Sequence, residues 1–172
     1  LAAAETLLKR GHAFSEISVE DLTTEAALSR TTFYDHFDDK SALLMQLGEH
    51  VTRLFEEAAS QWYRLPRTAT REDLHAALRE LTHAHIEHGA TMSAVVDAAA
   101  YDPQIRVAYL AVIAVRIAEM ERGFREQQLV GAVRDDVDIA QVTPWIAWMV
   151  ERTPFRLLRE GPEALEAHLG GP

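Results

Sequence analysis

The feature that most constrains this chain is a helical periodicity that runs from one end of the sequence to the other. No stretch alternates apolar and polar residues between turn signals, so we expect no β-sheet. Nine helices with short connections are predicted, and therefore an all-α protein. The expected helices lie at residues 1–10, 18–26, 29–35, 40–63, 71–88, 91–100, 103–128 and 139–160, with a short ninth ending near Leu169.

Local signals set the ends of the predicted helices. Ser18 and Asp21 form a capping-box pair at the start of the second helix. Asp102 is an N-cap followed by a proline at the first helical position. Gly89 is expected to end the helix at 71–88, because glycine is a weak helix former.

Composition excludes several classes of protein. The chain has 172 residues, of which 48% are hydrophobic and 26% charged, as in a soluble globular protein. It has no cysteine, which excludes disulfide scaffolds, Cys-ligated zinc and thiol catalysis and fits a reducing cytoplasm. The longest apolar run, Val107–Val115, is too short to span a bilayer, so no membrane partner is expected. The net charge of −10 counts against a wholly basic nucleic-acid coat protein, but not against a small DNA-reading surface.

Two short helices within residues 16–40 are separated only by Ala27 and Leu28, which is the spacing of a helix-turn-helix. Their expected inner residues are Val19, Leu22, Ala26, Phe33 and Phe37. The outer side of the second helix carries hydrogen-bonding side chains, namely Arg30, Thr31, Thr32, Tyr34 and His36. Such side chains suit phosphate oxygens and base edges in a major groove. Lys40 begins the next helix, where a phosphate would satisfy both the ammonium and the unpaired backbone N–H groups.

Residues 29–44, SRTTFYDHFDDKSALL, resemble the TetR family of repressors. They fit the family pattern Ser-x-x-Thr-Phe/Leu-Tyr-x-His-Phe-x-x-Lys-x-x-Leu-Leu at every fixed position, and ISVEDL at 17–22 is similar to the preceding family helix. Further along, ERTPF at 151–155 resembles the EthR-like mycobacterial and actinobacterial members. The resemblance is strong over the first third of the chain and weaker after it.

The resemblance implies a two-domain TetR-type fold, with a helix-turn-helix DNA-binding domain over residues 1–45. A ligand-binding and dimerisation domain would follow over residues 46–172. It implies a transcriptional repressor rather than an enzyme, with no cofactor. The expected partners are palindromic operator DNA, a second copy of the chain, and a lipophilic small molecule that releases the DNA.

The match also implies roles for single residues. Tyr34 and Lys40 stand where the family contacts phosphates. Arg30, Thr31 and Thr32 stand where it reads bases or the adjacent backbone. Ser18 would cap its helix and touch phosphate, and His36 would contact either bases or phosphate.

Two features depart from the family pattern. Ala27 occupies a turn position that is often glycine, so the turn is expected to differ slightly. Residues 1–45 hold four lysines and arginines against eight aspartates and glutamates, a net charge of −4. A DNA-facing surface should be more basic. We therefore expect basic residues in the stretch that would precede Leu1.

The family further implies an effector cavity among the later helices. The candidate lining is apolar with a few polar groups: Leu81, His85, Met92, Tyr109, Ile113, Ile117, Met120, Trp145, Trp148 and Met149. The helix at 139–160 has two apolar faces, one for the chain's own core and one for a dimer mate. Met149 and Ile146 are assigned to the inner face, Arg152 and Phe155 to the mate-facing one, and Trp145 and Trp148 to the boundary.

Other interpretations remain open. The polar face of the second short helix is alternatively a solvated surface, and each pocket candidate is alternatively ordinary core. His83, His85 and His88 suggest a metal site by spacing, but His83 points away from the other two, so none is predicted. The rival function is an all-α small-molecule-binding module that does not bind DNA. A helical enzyme using His85 with Asp97 has no positive sign in the sequence.

Overall fold

The structure, a computed structural model, describes residues 1–160, without the side chains of 155 and 157–160. It is all-helical over these residues. The helices are α1 (Ala2–Lys9), α2 (Val19–Glu25), α3 (Arg30–His36), α4 (Lys40–Tyr63), α5 (Arg71–Tyr101), α6 (Pro103–Leu129) and α7 (Ile139–Glu160).

The described part of the chain therefore has seven helices where nine were predicted. The predicted break at Gly89 is wrong, because α5 passes through it as one helix of 31 residues. A single helical glycine costs only about 1 kcal/mol relative to alanine. The buried side chains on both sides of it, including Leu81, Met92 and Val95, outweigh that cost. The ninth predicted helix lies outside the described residues.

The chain divides into two compact units, which we describe separately. The first comprises Leu1–Thr52 and Ala90–Ala111, and the second comprises Arg53–Gly89 and the residues from Val112 onward. The predicted functional boundary at residue 45 is a different division and stays a prediction.

The first unit is built on the apolar face of α4. Leu44, Leu47 and Val51 are completely buried there. A Cβ on Gly48 would lie 3.0 Å from Val95 Cγ2, so glycine at this position lets α4 and α5 pack closely. Asp102 caps α6 by accepting from the N–H of Gln104 at 2.9 Å, and it also accepts from Ser41 Oγ at 3.1 Å.

The second unit packs the remainder of α4, α5 and α6 with α7. Its core is a buried cluster of Ala59, Tyr63, Leu81, Met120 and Ala147. Around this cluster lie partly buried side chains, namely Ala58, Trp62, Ile117, Phe124, Ile146 and Val150. The core of this unit also holds buried charged and polar groups.

Candidate functional site

The helix-turn-helix begins at a capping box that the structure shows in full. Ser18 Oγ accepts from the Asp21 N–H at 3.1 Å, and the Ser18 N–H donates to Asp21 Oδ2 at 2.8 Å. Hydrogen bonds from Ser18, its side chain first and then its backbone, lower the pKa of Asp21. The predicted capping role of Ser18 is therefore confirmed. The phosphate contact implied for its exposed side chain stays a prediction.

The turn between α2 and α3 keeps a left-handed conformation although it has no glycine. Ala27 has φ of +52°, and the neighbouring Leu28 N–H donates to the Thr23 carbonyl at 2.9 Å. A left-handed residue with a Cβ costs about 1–2 kcal/mol. The backbone of Ala27 is therefore strained, although the turn around it is intact.

One side of α3 is anchored and the other is exposed. Phe33 is buried and packs edge-on against Tyr34 and at 5.4 Å from Phe37. The Ser29 side chain caps the helix by accepting from the Thr32 N–H at 3.0 Å. The outer side chains are exposed except for Thr32, which is half-buried: Arg30, Thr31, Thr32, Tyr34 and His36. The face predicted to read DNA is therefore an accessible surface on a fixed helix.

Lys40 makes contacts that the sequence did not indicate. Its ammonium donates to three main-chain carbonyls, those of Phe14 at 3.1 Å, Ser15 at 3.2 Å and Ile17 at 2.7 Å. It also lies 5.1 Å from the centre of the Phe14 ring. Since an ammonium has three N–H groups, these carbonyls use all of them. Lys40 thus holds the segment before α2 against the start of α4, and the phosphate contact implied for it has no donor left in this arrangement.

The predicted pocket residues separate into three groups. Leu81, Ile117 and Met120 come together in the core of the second unit, where His85 and Ile113 are buried as well. Met92 and Tyr109 are buried in the first unit. Trp148 is half-buried, whereas Trp145 and Met149 are 79% and 58% exposed.

The assignment of Met149 to the inner face of α7 is therefore wrong, and so is the placing of Trp145 in a core pocket. The inner face is carried by Ile146, Ala147, Val150 and Glu151. Trp145 and Met149 form instead the outer face of α7. Arg152, exposed as expected of a mate-facing residue, lies 5.6 Å from the Trp148 ring. The side chain of Phe155 lies outside the described residues.

The second unit also buries an ion pair, which the sequence did not reveal. Arg116 Nη1 donates to Glu151 Oε2 at 2.6 Å, with side chains only 9% and 1% exposed. The one signal was Arg116 itself, which follows directly on the apolar run of α6. The pair joins residues 35 positions apart, and so it fixes which side of α7 faces inward.

His85 lies among the buried groups of the same unit. Its ring stacks on Phe55 with 4.5 Å between centres, and its Nδ1 lies 2.7 Å from the Leu81 carbonyl. Burial lowers the pKa of His85. A lowered pKa favours the neutral imidazole, so His85 is a buried polar group of this unit. The ligand contact implied for it stays a prediction.

Three apolar side chains of α6 are exposed in the structure. Val107, Leu110 and Val115 lie on α6 and are 69%, 48% and 57% exposed.

Two further observations concern the site. Within the described residues, no group of His, Asp or Glu has an arrangement that would hold a metal ion. Nor is any described helix both long enough and apolar enough to cross a membrane.

Comparison with known proteins agrees with the geometry of the helix-turn-helix. The sequence model of the family of bacterial regulatory proteins called the tetR family matches residues 1–47. The HTH-type transcriptional regulator EthR of Mycolicibacterium smegmatis is 27% identical over 164 residues, which are 93% of this chain and 73% of that protein. EthR of Mycobacterium tuberculosis is 36% identical over 74 residues, which are 43% of this chain and 34% of that protein.

The fold is also found among solved structures. The TetR family transcriptional regulator PfmR from Thermus thermophilus superposes with a TM-score of 0.67 over 97% of this chain and 92% of that chain. The sequence identity is 18%, so this likeness supports the fold alone.

Proposed function

This chain belongs to the TetR family of transcriptional regulators and is EthR-like, and on that premise we propose that it is a dimeric repressor of palindromic operator DNA that a lipophilic small molecule releases. The family is one of regulators rather than enzymes. The observation that carries the DNA-binding part is the outer face of α3. The guanidinium of Arg30, the hydroxyl of Thr31 and the phenol of Tyr34 are exposed on a helix that the Ser29 cap and the buried Phe33 hold in place.

Residue roles on this face follow from chemistry. Arg30 is the candidate for base recognition, because a guanidinium donates two parallel hydrogen bonds to guanine. Thr31 and Thr32 are placed for bases or the adjacent backbone, and the exposed phenol of Tyr34 suits a phosphate. His36, in the last turn of α3, suits either kind of contact.

Binding of the whole protein to its own upstream DNA tests this part, with fluorescence anisotropy on matched and altered operators. We expect Arg30→Ala to relax preference at particular base pairs by roughly 1–3 kcal/mol. Tyr34→Phe should weaken binding to all sequences alike. The control is Arg53→Ala, which removes an exposed arginine outside the helix-turn-helix. Equal loss on every DNA with Arg30→Ala would reject the base-reading role.

The dimer is proposed to form through the outer face of α7, as the exposed Trp145 and Met149 suggest. A tryptophan this exposed on one chain is a typical anchor of an interface, worth about 2 kcal/mol or more. Sedimentation should therefore show Trp145→Ala dissociating at concentrations at which the parent is dimeric. Leu129→Ala is the control, since Leu129 is 88% exposed at the far end of α6. Dissociation of the control but not of Trp145→Ala would place the interface elsewhere.

The effector is proposed to bind among the helices of the second unit, whose core contains the apolar side chains of Leu81, Ile117 and Met120 and the buried polar ring of His85. A ligand shifts the protein only by the difference in its affinity for the DNA-bound and released states. A thermal-shift screen of lipophilic compounds should find ligands that raise the Tm and lower DNA affinity together. Ligands that raise the Tm without affecting DNA binding would separate binding from regulation.

The net charge of −4 on residues 1–45 favours a second function, a small-molecule-binding module that does not bind DNA. The anisotropy measurement decides between the two. A module of this kind would show no preference for upstream DNA over random DNA at any salt concentration. A regulator would act in the cytoplasm, where its operator lies.

A further inference from the structure

A groove of about 600 Å³ opens in the second unit, between the loop that joins α4 to α5 and the loop that joins α6 to α7. Its volume is in the range of small-molecule sites. None of the residues predicted to line the effector cavity lines this groove. It is therefore a separate candidate site, and it needs no assumption about DNA binding.

One wall of the groove is aromatic and rigid. The ring of Phe124 meets Trp62 edge-to-face at 5.8 Å and Tyr63 at 6.4 Å. A Cβ on Gly123 would lie 2.7 Å from the Tyr63 ring, so this glycine is what allows α6 to approach α4 here. Trp62 and Phe124 are only half-buried, which leaves apolar ring surface facing the groove.

The lining of the groove also carries positive charge. Arg67 and Arg71 line the groove, neither has a hydrogen bond or ion pair with a described residue, and no acid is among the lining residues. Arg67 lies against the loop that joins α6 to α7, where a Cβ on Gly131 would be 3.2 Å from the Arg67 Nη1. Gly131 has φ of +72°, so glycine is required there for the backbone as well.

A hydrogen-bond acceptor completes the lining. The side-chain oxygen of Gln127 is buried without a partner among the described residues, although Gln127 lines the groove. Its main-chain carbonyl accepts from the N–H groups of Ala132 at 2.8 Å and Val133 at 3.2 Å, which fixes the residue in place. A buried acceptor without a donor is costly, and a ligand N–H or O–H would relieve that cost.

We propose that this groove binds a small aromatic carboxylate that carries an N–H or O–H group. The ring lies against Trp62 and Phe124, and the carboxylate lies between Arg67 and Arg71. Guanidinium groups bind carboxylates through paired, charge-assisted hydrogen bonds. The ligand's own donor reaches the Gln127 side chain.

Three matched probes test the proposal by isothermal titration of the whole chain. Indole-3-carboxylate has the ring, the charge and the N–H group. Indole-3-carboxamide lacks the charge, and 1-methylindole-3-carboxylate lacks the N–H. We expect indole-3-carboxylate to bind. The affinity for the carboxamide should be lower by a factor of about ten or more. The methylated carboxylate should bind several-fold more weakly.

Variants then assign the contacts. Arg67→Gln with Arg71→Gln should weaken indole-3-carboxylate about tenfold, to the level of the carboxamide. Arg79→Gln, an exposed arginine of α5 outside the groove, should leave its affinity unchanged. Gln127→Leu should remove the difference between the methylated and unmethylated carboxylates. Circular dichroism confirms that each variant is folded.

Three results would overturn the proposal. The first is no binding of indole-3-carboxylate up to roughly 5 mM, a concentration at which even weak sites fill. The second is equal affinity for the carboxamide. The third is unchanged affinity in the double arginine variant. None of these outcomes bears on DNA binding, so failure here leaves the proposed regulator intact.

Discussion

Replacing Lys40 by methionine tests whether this residue stabilises the fold through internal hydrogen bonds or neutralises a phosphate of bound DNA. Methionine keeps an unbranched apolar stem beside Phe14 but donates no hydrogen bond. The carbonyls of Phe14, Ser15 and Ile17 would lose their charged donor, and the contacts of Phe14 and Ile17 are partly buried. Hydrogen bonds to a charged group contribute about 1.5–3 kcal/mol to stability. We expect Lys40→Met to cost about 2–3 kcal/mol, toward the upper part of that range.

Urea denaturation measures this cost, and anisotropy at several salt concentrations measures the effect on DNA. If Lys40 acts inside the protein, operator affinity falls for all sequences while the slope against salt stays unchanged. If it neutralises a phosphate, the slope becomes shallower by about 0.9 per contact. Lys9→Met is the matched control, since Lys9 and Lys40 are the two lysines of the chain and Lys9 is exposed on α1. Unchanged stability together with a shallower slope would refute the internal role.

Three more predictions concern stability. Arg116→Met alone should cost about 3–5 kcal/mol in urea denaturation, and Arg116→Met with Glu151→Leu should cost less; equal losses would mean that the pair is not coupled. Burial, and the neighbouring Glu119 carboxyl, raise the pKa of Glu56, so the folded chain keeps a proton that the unfolded chain loses. Stability should therefore fall as pH rises above the ordinary glutamate range, and Glu56→Gln should flatten this dependence in denaturation series across pH; an unaltered profile would contradict it. Ala27→Gly should raise the free energy of unfolding by about 0.5–1 kcal/mol, since relief of left-handed strain exceeds the added chain entropy, whereas a loss would show that the turn is unstrained.

The parts of the fold that the sequence predicted well are those decided by neighbouring residues. The capping box of Ser18 and Asp21 starts α2 where expected, and Asp102 with its following proline starts α6. The exposed face of α3 also follows from local spacing, because Phe33 must turn inward. Gly89 shows the limit of such signals. Glycine lowers the local stability of the helix, but the packing of the residues on either side of it keeps α5 continuous.

The faces of α7 could not be predicted, because periodicity shows two apolar faces without saying which is inside. The decision comes from Arg116, which lies 35 residues away in sequence and holds Glu151 in the core. Met149 is two residues from Glu151, or about 200° around the helix. It must therefore point outward once Glu151 points inward. The inward position of Glu151 thus corrects the placing of Met149, whereas Ile146 lies on the inner face as predicted.

Few of the cations within the acidic residues 1–45 are available to contact DNA. Of the four lysines and arginines within residues 1–45, Lys40 is bound to three carbonyls and Arg10 is paired with Glu25 at 2.7 Å. Arg30 and Lys9 remain as exposed cations without such partners among the described residues. DNA affinity would then depend on few contacts between protein cations and phosphates, and on uncharged hydrogen-bond donors. Such donors position the protein and contact bases, but they give little salt-dependent attraction.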